Sequence, residues 1–228
     1  MLLELPLFVN GTTLVLETSF TGQLSTSFEF FSLTWIIPIC GHPSAGKSTL
    51  IRLLTPVKAR VGKKPGTTRR INAIPMTENL TIKDYPGFGR LAGRSRRKSG
   101  KVQQDIVRTL EQEANDILVG IVVTDLSNVK LMAEKLGKKG FVPIDYEMSE
   151  FIGEISGKPV IVVGNKIDKL DRGDNPDSYI EYFPQGVQFF PVALKHKKGV
   201  EPLLVYLQSV VTDALGEEVE GLFWDNYA

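Results

Sequence analysis

An apolar run over residues 35–40 gives way to Gly41-His42-Pro43-Ser44-Ala45-Gly46-Lys47-Ser48, and apolar residues then recur at helical spacing as far as Leu54. Strand, glycine-bounded loop and helix in that order leave a narrow choice of fold, because such a loop acquires meaning at the end of a buried strand and the start of a helix. Its glycines let backbone N–H groups wrap a phosphate at a helix N-terminus. Lys47 offsets charge on the β and γ oxygens, and Ser48 offers a hydroxyl to Mg2+. Alone, the loop predicts a nucleoside triphosphate and leaves its base open.

The remaining pattern is that of a mostly parallel sheet covered by helices. Residues 71–76 and 80–83 read as strands joined in a hairpin at Thr77-Glu78-Asn79. Residues 120–124 and 159–163 are short apolar runs of the kind buried on both faces, and 188–192 reads as a last strand. Apolar residues at 102, 106, 110, 114 and 117 predict one helix over 102–118, and others are expected near 128–136 and 146–155. Val200, Leu203, Leu204, Leu207 and Val211 mark a final one. The expectation is an α/β fold with a mostly parallel six-stranded sheet and helices on both faces.

Four further motifs accompany it. Asn165-Lys166-Ile167-Asp168 comes directly after a buried run, and a carboxylate at Asp168 can accept from the ring N–H and the exocyclic amine of guanine. Adenine would leave that carboxylate unpaired, a loss of several kcal/mol. Asp84-Tyr85-Pro86-Gly87 ends a strand, with Asp84 expected to reach Mg2+ through water and the Gly87 N–H to meet the γ-phosphate. Between it and the phosphate loop, Pro65-Gly66-Thr67-Thr68-Arg69 can lend a threonine hydroxyl to the metal only while the γ-phosphate is present. Val192-Ala193-Leu194-Lys195 follows the last strand and is placed to support the base with N–H groups.

Charge is segregated. All 27 Lys and Arg lie between Lys47 and Lys198, against 17 of the 26 acidic residues, so that stretch carries a net charge of +10. A polyanionic partner is expected, and with neither acyl nor membrane-anchor signal it is nucleic acid. The single cysteine, Cys40, lies in an apolar run and reads as a core residue in a reducing cytoplasm. Residues 1–34 carry three glutamates and no basic residue, which fits neither a signal nor a transit peptide, so they read as an appended strand or arm. Residues 35–213 form the expected nucleotide domain. The acidic tail from 214 to 228 carries Phe223 and Trp224, read as a flap over an apolar patch.

These motifs resemble the Era-like group of translation-factor-related (TRAFAC) GTPases, and within it the EngB family, over roughly residues 35–212. Lys64-Pro65-Gly66 with Thr68, and Asp84-Tyr85-Pro86-Gly87-Phe88-Gly89, are the EngB-like features. The resemblance implies a P-loop G domain that binds GTP or GDP with Mg2+ and hydrolyses GTP. It assigns Ser48 and Thr68 to the metal. To the nucleotide it assigns Gly41, His42, Pro43, Ser44, Ala45, Gly46, Lys47, Ser48, Gly66, Thr67, Thr68, Arg69, Arg70, Asp84, Tyr85, Pro86, Gly87, Asn165, Lys166, Ile167, Asp168, Pro191, Val192 and Ala193. It further implies a role in assembly of the large ribosomal subunit, through ribosomal RNA, and in normal cell division and septation. A cytoplasmic monomer that binds neither membrane nor DNA is expected. Ser44 stands where many Era-like proteins carry a potassium-binding asparagine, and Val192 replaces the usual serine of the last motif.

Lys47, Thr68 and Gly87 are the expected catalytic set, acting by charge neutralisation and positioning. Phe88 occupies the place from which a glutamine orients water in Ras-like enzymes, so slow intrinsic hydrolysis is expected. Six basic residues and no acidic one lie in 90–101, read as a loop that contacts RNA phosphates under nucleotide control. The rival readings are a non-hydrolysing RNA-binding scaffold that holds GTP, and an ATP-dependent phosphotransferase.

Overall fold

The computed structural model describes residues 6–9, 12–15, 34–55, 71–88, 96–216, 219 and 221–224. The chain divides into two compact units, Met1–Thr34 and Trp35–Ala228. In the first, β1 (Pro6–Val9) pairs antiparallel with β2 (Thr12–Val15), with Pro6 opposite Val15.

The second unit begins with β3 (Trp35–Gly41), α1 (Lys47–Leu54), β4 (Asn72–Thr77) and β5 (Leu80–Asp84). It continues through α2 (Arg96–Gln112), β6 (Gly120–Asp125), α3 (Leu126–Gly137), α4 (Ile144–Ser156) and β7 (Val160–Asn165). β8 (Gln188–Val192) and α5 (Val200–Leu215) complete it. The strands form one sheet in the order β4-β5-β3-β6-β7-β8, parallel except for the antiparallel edge strand β4.

Strand alternation divides the core in two. Ile37, Ile39, Ile121, Val123, Ile161 and Val163 point to one face, where they pack with α1 and α5. Ile36, Cys40, Val122 and Val160 point to the other, against Ile106 and Leu110 of α2 and Met148 and Ile152 of α4. Both faces of the central strands are therefore dry, which is why their sequences read as unbroken apolar runs rather than as alternation. Fully burying such a side chain contributes about 1.5–3 kcal/mol. Cys40 is completely buried in this core, and burial pushes its thiol far above the ordinary range.

Two expectations need correction. The helix anticipated over 102–118 is α2, which starts six residues earlier and stops at Gln112. Ala114–Asp116 forms a 3-10 turn, after which Ile117 bridges Ile36 and the Leu118 N–H donates to the Ile36 carbonyl. The apolar spacing at 114 and 117 continues by chance into a segment that the sheet captures. Consequently residues 96–101 of the supposed basic loop are the opening turns of α2, and Arg90 and Arg94 lie outside the described residues.

Past α5, Phe223 is fully buried and Val219 nearly so, both in the α1–α5 core, and Gln208 Nε2 donates to the Val219 carbonyl at 2.8 Å. Among the described residues no helix is long and apolar enough to cross a membrane.

Candidate functional site

Strand register gathers the motifs at one edge of the sheet. Gly41 lies opposite Val123, Asp125 opposite Asn165, and Asn165 opposite Val192, so the ends of β3, β6, β7 and β8 stand side by side. In open α/β sheets ligands bind outside these C-terminal strand ends. Asp84, opposite Ile39 at the end of β5, extends the row.

The phosphate loop is held by contacts that only its own sequence allows. Gly41 has φ 132°, and a Cβ there would come within 2.1 Å of the Val123 carbonyl oxygen. Gly46 has φ 120°, and its Cβ would meet Asn165 Nδ2 at 2.2 Å. Ser44 takes a left-handed conformation (φ 65°), in which asparagine is several-fold enriched among non-glycine residues. Helix α1 starts at Gly46 with no side-chain cap, leaving its first N–H groups for an anion. Lys47 Nζ donates to the carbonyls of Gly41 and His42, both at 2.9 Å, and so spans the loop. Burial pushes its ammonium below the usual lysine value, and the Asp84 carboxylate works against that shift.

The Asp84–Gly87 segment runs beside this loop. The Tyr85 N–H donates to the Ile39 carbonyl and the Phe88 N–H to that of Gly41, each at 3.1 Å. Pro86 is buried, and a Cβ on Gly87 would strike the Pro43 backbone nitrogen at 2.8 Å, so glycine is needed for this approach. Phe88 is 1% exposed within the core beside Cys40 and Ile106. Tyr85 donates through its hydroxyl to Glu113 Oε2 (3.0 Å) while Lys83 Nζ donates to Oε1 (2.7 Å), fastening the end of α2 to the base of this loop.

Asn165 joins the two halves of the site. Its Nδ2 donates to the Ala45 carbonyl at 2.7 Å, and its Oδ1 accepts the Leu194 N–H at 3.0 Å. Its amide thus braces the phosphate loop against the loop that carries Leu194. Lys166, left-handed at φ 71°, donates from Nζ to Asp125 Oδ2. Burial raises the Asp125 carboxyl, but hydrogen bonds from Lys166 and Ser127 outweigh it and hold the group below the ordinary carboxylate range. Asp168 stays open to solvent within the 3-10 turn Ile167–Lys169, with His196 Nε2 at 3.8 Å from its Oδ2.

In the last motif Pro191 has no N–H, the Ala193 N–H donates to the Lys198 carbonyl at 2.9 Å, the Leu194 N–H donates to Asn165 Oδ1, and Val192 is buried core. Gly66, Thr67, Thr68, Arg69 and Arg70 lie outside the described residues.

Sequence reasoning missed Asp125, Asp145 and Glu113. Asp125 could have been found, since it ends a buried run as Asn165 does. Asp145 could not, because nothing in a polar helix start shows that its carboxylate faces inward, where Oδ2 accepts from Thr124 Oγ1 at 2.7 Å.

Residues 36–166 match a family model described as a 50S ribosome-binding GTPase. A probable GTP-binding protein EngB of Methanopyrus kandleri is 37% identical over 190 residues, covering 78% of this chain and 93% of that protein. Another from Methanococcus aeolicus is 37% identical over 138 residues, and the match spans 60% of this chain and 60% of that relative's length. A crystal structure of a probable GTP-binding protein engB superposes with a TM-score of 0.68 at 32% identity, covering 78% of this chain and 99% of the other. Matches of that identity and extent, across the segment that carries the site, place the chain in the EngB family of GTP-binding proteins.

Proposed function

We propose that this chain is a Mg2+-dependent GTPase of slow intrinsic turnover that acts as a nucleotide switch on the large ribosomal subunit during its assembly, with cell division and septation dependent on that step. The observation that carries the reading is the Asn165 brace, since one buried amide joins the phosphate loop, its own Asn165–Asp168 motif and the loop of Leu194. The donor set suits the metal. Ser48 at the start of α1 and the buried Asp84 facing Lys47 are hard oxygen donors, and Mg2+ is commonly held by one or two such groups plus phosphates and water. Bound there, the metal would neutralise charge on the β and γ oxygens.

The chain's own groups do the rest. Lys47 offers its ammonium to the same oxygens, the N–H groups of the loop and of Gly87 position the γ-phosphate, and Asp168 selects guanine. Thr68 would complete the metal site in the triphosphate state only. The buried Phe88 leaves the place after the switch glycine without a group to orient water, which accords with slow turnover until a partner supplies one. Residues 35–213 act as the G domain, in a cytoplasmic monomer. The large subunit as partner is supported by the +10 middle of the chain and by the name of the matching family model.

Titration calorimetry with GTP, GDP and ATP in Mg2+ tests the reading. Both guanine nucleotides should bind at least about 100-fold more tightly than ATP, the margin expected of a site left with an unpaired carboxylate by the wrong base. Equal binding of ATP would contradict it. Absence of turnover even with large subunits present would instead favour GTP as a structural ligand.

A further inference from the structure

A cavity of about 510 Å3, within the range of small-ligand pockets, lies beside His42 and Pro43 of the phosphate loop. The outer flank of His42 and Pro43 forms one wall, Val129, Met132 and Leu136 of α3 another, and Phe141 to Ile144 a third. Among the described residues, six large apolar side chains are exposed, and four of them are Leu131, Met132, Phe141 and Val142. Three of these four line the cavity, and Phe141 is 63% exposed. Exposed apolar side chains gathered at one concave place, rather than scattered, mark an interaction site.

Besides His42 and the uncharged Gln103, Thr124, Asn128 and Tyr182, the polar lining of the cavity is acidic. Asp125, Asp145 and Glu147 line it, and among its described lining residues there is neither lysine nor arginine. Asp145 is 7% exposed and its Oδ1 finds no well-formed hydrogen bond among the described residues; burial raises its carboxyl, while His42, the Thr124 hydroxyl and Lys47 favour the charged form. A buried carboxylate oxygen left unmatched costs free energy that a donor brought by a ligand would recover. In a chain whose middle is strongly basic, an acidic apolar pocket repels nucleic acid and anionic lipid alike. It suits a cation next to an apolar group.

We propose that this cavity is a docking site for a protein partner, which inserts an apolar side chain between Met132 and Phe141 and presents a neighbouring arginine or lysine to Asp145. A partner seated there touches His42 and Pro43 of the phosphate loop. The proposal is independent of which nucleotide the loop holds, because peptide binding is measured directly.

The full-length protein would be titrated with acetyl-Leu-Phe-Arg-amide and its Gln and Glu counterparts, followed by isothermal calorimetry. The Arg peptide is expected to bind saturably and at least about tenfold more tightly than the Gln peptide, with the Glu peptide weakest. Asp145→Asn should erase the difference between Arg and Gln. Since Asp145 is buried, a second variant guards against misfolding: Phe141→Ser, at an exposed position, should weaken the Arg and Gln peptides together by about fivefold with an unchanged melting temperature. Equal binding of the three peptides, or no binding of any, would overturn the proposal. So would phenethylamine binding as tightly as the Arg peptide, or displacement of that peptide by an RNA hairpin, because each assigns the pocket to another occupant.

Discussion

Both halves of the Asn165 amide are used, at 2.7 and 3.0 Å, inside a site where water cannot replace them. Asn165→Ala leaves the Ala45 carbonyl and the Leu194 N–H without their partner, at about 1–3 kcal/mol for each buried group. We expect a loss of roughly 2–5 kcal/mol in urea unfolding together with weaker GDP and GTP binding. Stability within about 0.5 kcal/mol of the parent would show that the brace is dispensable. Asp168→Asn should act differently, since its side chain braces nothing. It should weaken GTP and improve xanthosine triphosphate, whose carbonyl replaces the exocyclic amine, with a swing of roughly 2–4 kcal/mol in preference and little change in unfolding. Unaltered preference in a titration with both nucleotides would remove the loop's assignment to the base. Asp125 gives a pH-dependent prediction. Its carboxyl is held below the ordinary range, so its contribution is present at neutral pH and is lost as pH falls through about 4 and below. Asp125→Asn should therefore lower stability at pH 7 and show a shallower decline between about pH 5 and pH 2. Parallel stability curves for parent and variant would contradict this.

At the level of elements, the segment after α5 gives the sharpest stability prediction. Phe223 is 0% exposed in the same core as Leu203 and Leu207, so Phe223→Ala should cost about 3–5 kcal/mol. A change below about 1 kcal/mol in urea unfolding would show that the segment is not docked in solution. Strands 35–41, 120–125 and 160–165 were legible because burial on both faces leaves an apolar run with no competing explanation. The end of α2 was not. Helical spacing persists at 114 and 117, and only the pairing of Ile117 with Ile36, a contact 81 positions apart, decides against a helix there. Within the site, the phosphate loop and Asn165–Asp168 were legible as short local motifs. The commitment of the Ala193 and Leu194 N–H groups was not, because it depends on Lys198 and Asn165 arriving from elsewhere.

For the whole molecule, charge and switch are linked by position. The basic residues from Arg90 to Lys101 follow the Asp84–Gly87 loop in sequence, those from Arg96 on lie in the opening turns of α2, and Glu113, just past the end of α2, ties back to Tyr85. If those side chains meet RNA phosphates, substituting Arg94, Arg96 and Arg97 together should flatten the log–log dependence of ribosomal RNA binding on salt by about 2–3 units, while GTP binding survives. An unchanged slope would make the segment a solvated surface. Nucleotide control of engagement with the large subunit can be measured by cosedimentation of the parent protein, loaded with either GDP or a non-hydrolysable GTP analogue, with purified large ribosomal subunits. Association at least about tenfold tighter with the analogue is expected, within the usual range of allosteric coupling. Equal cosedimentation in the two states, or none in either, would contradict it.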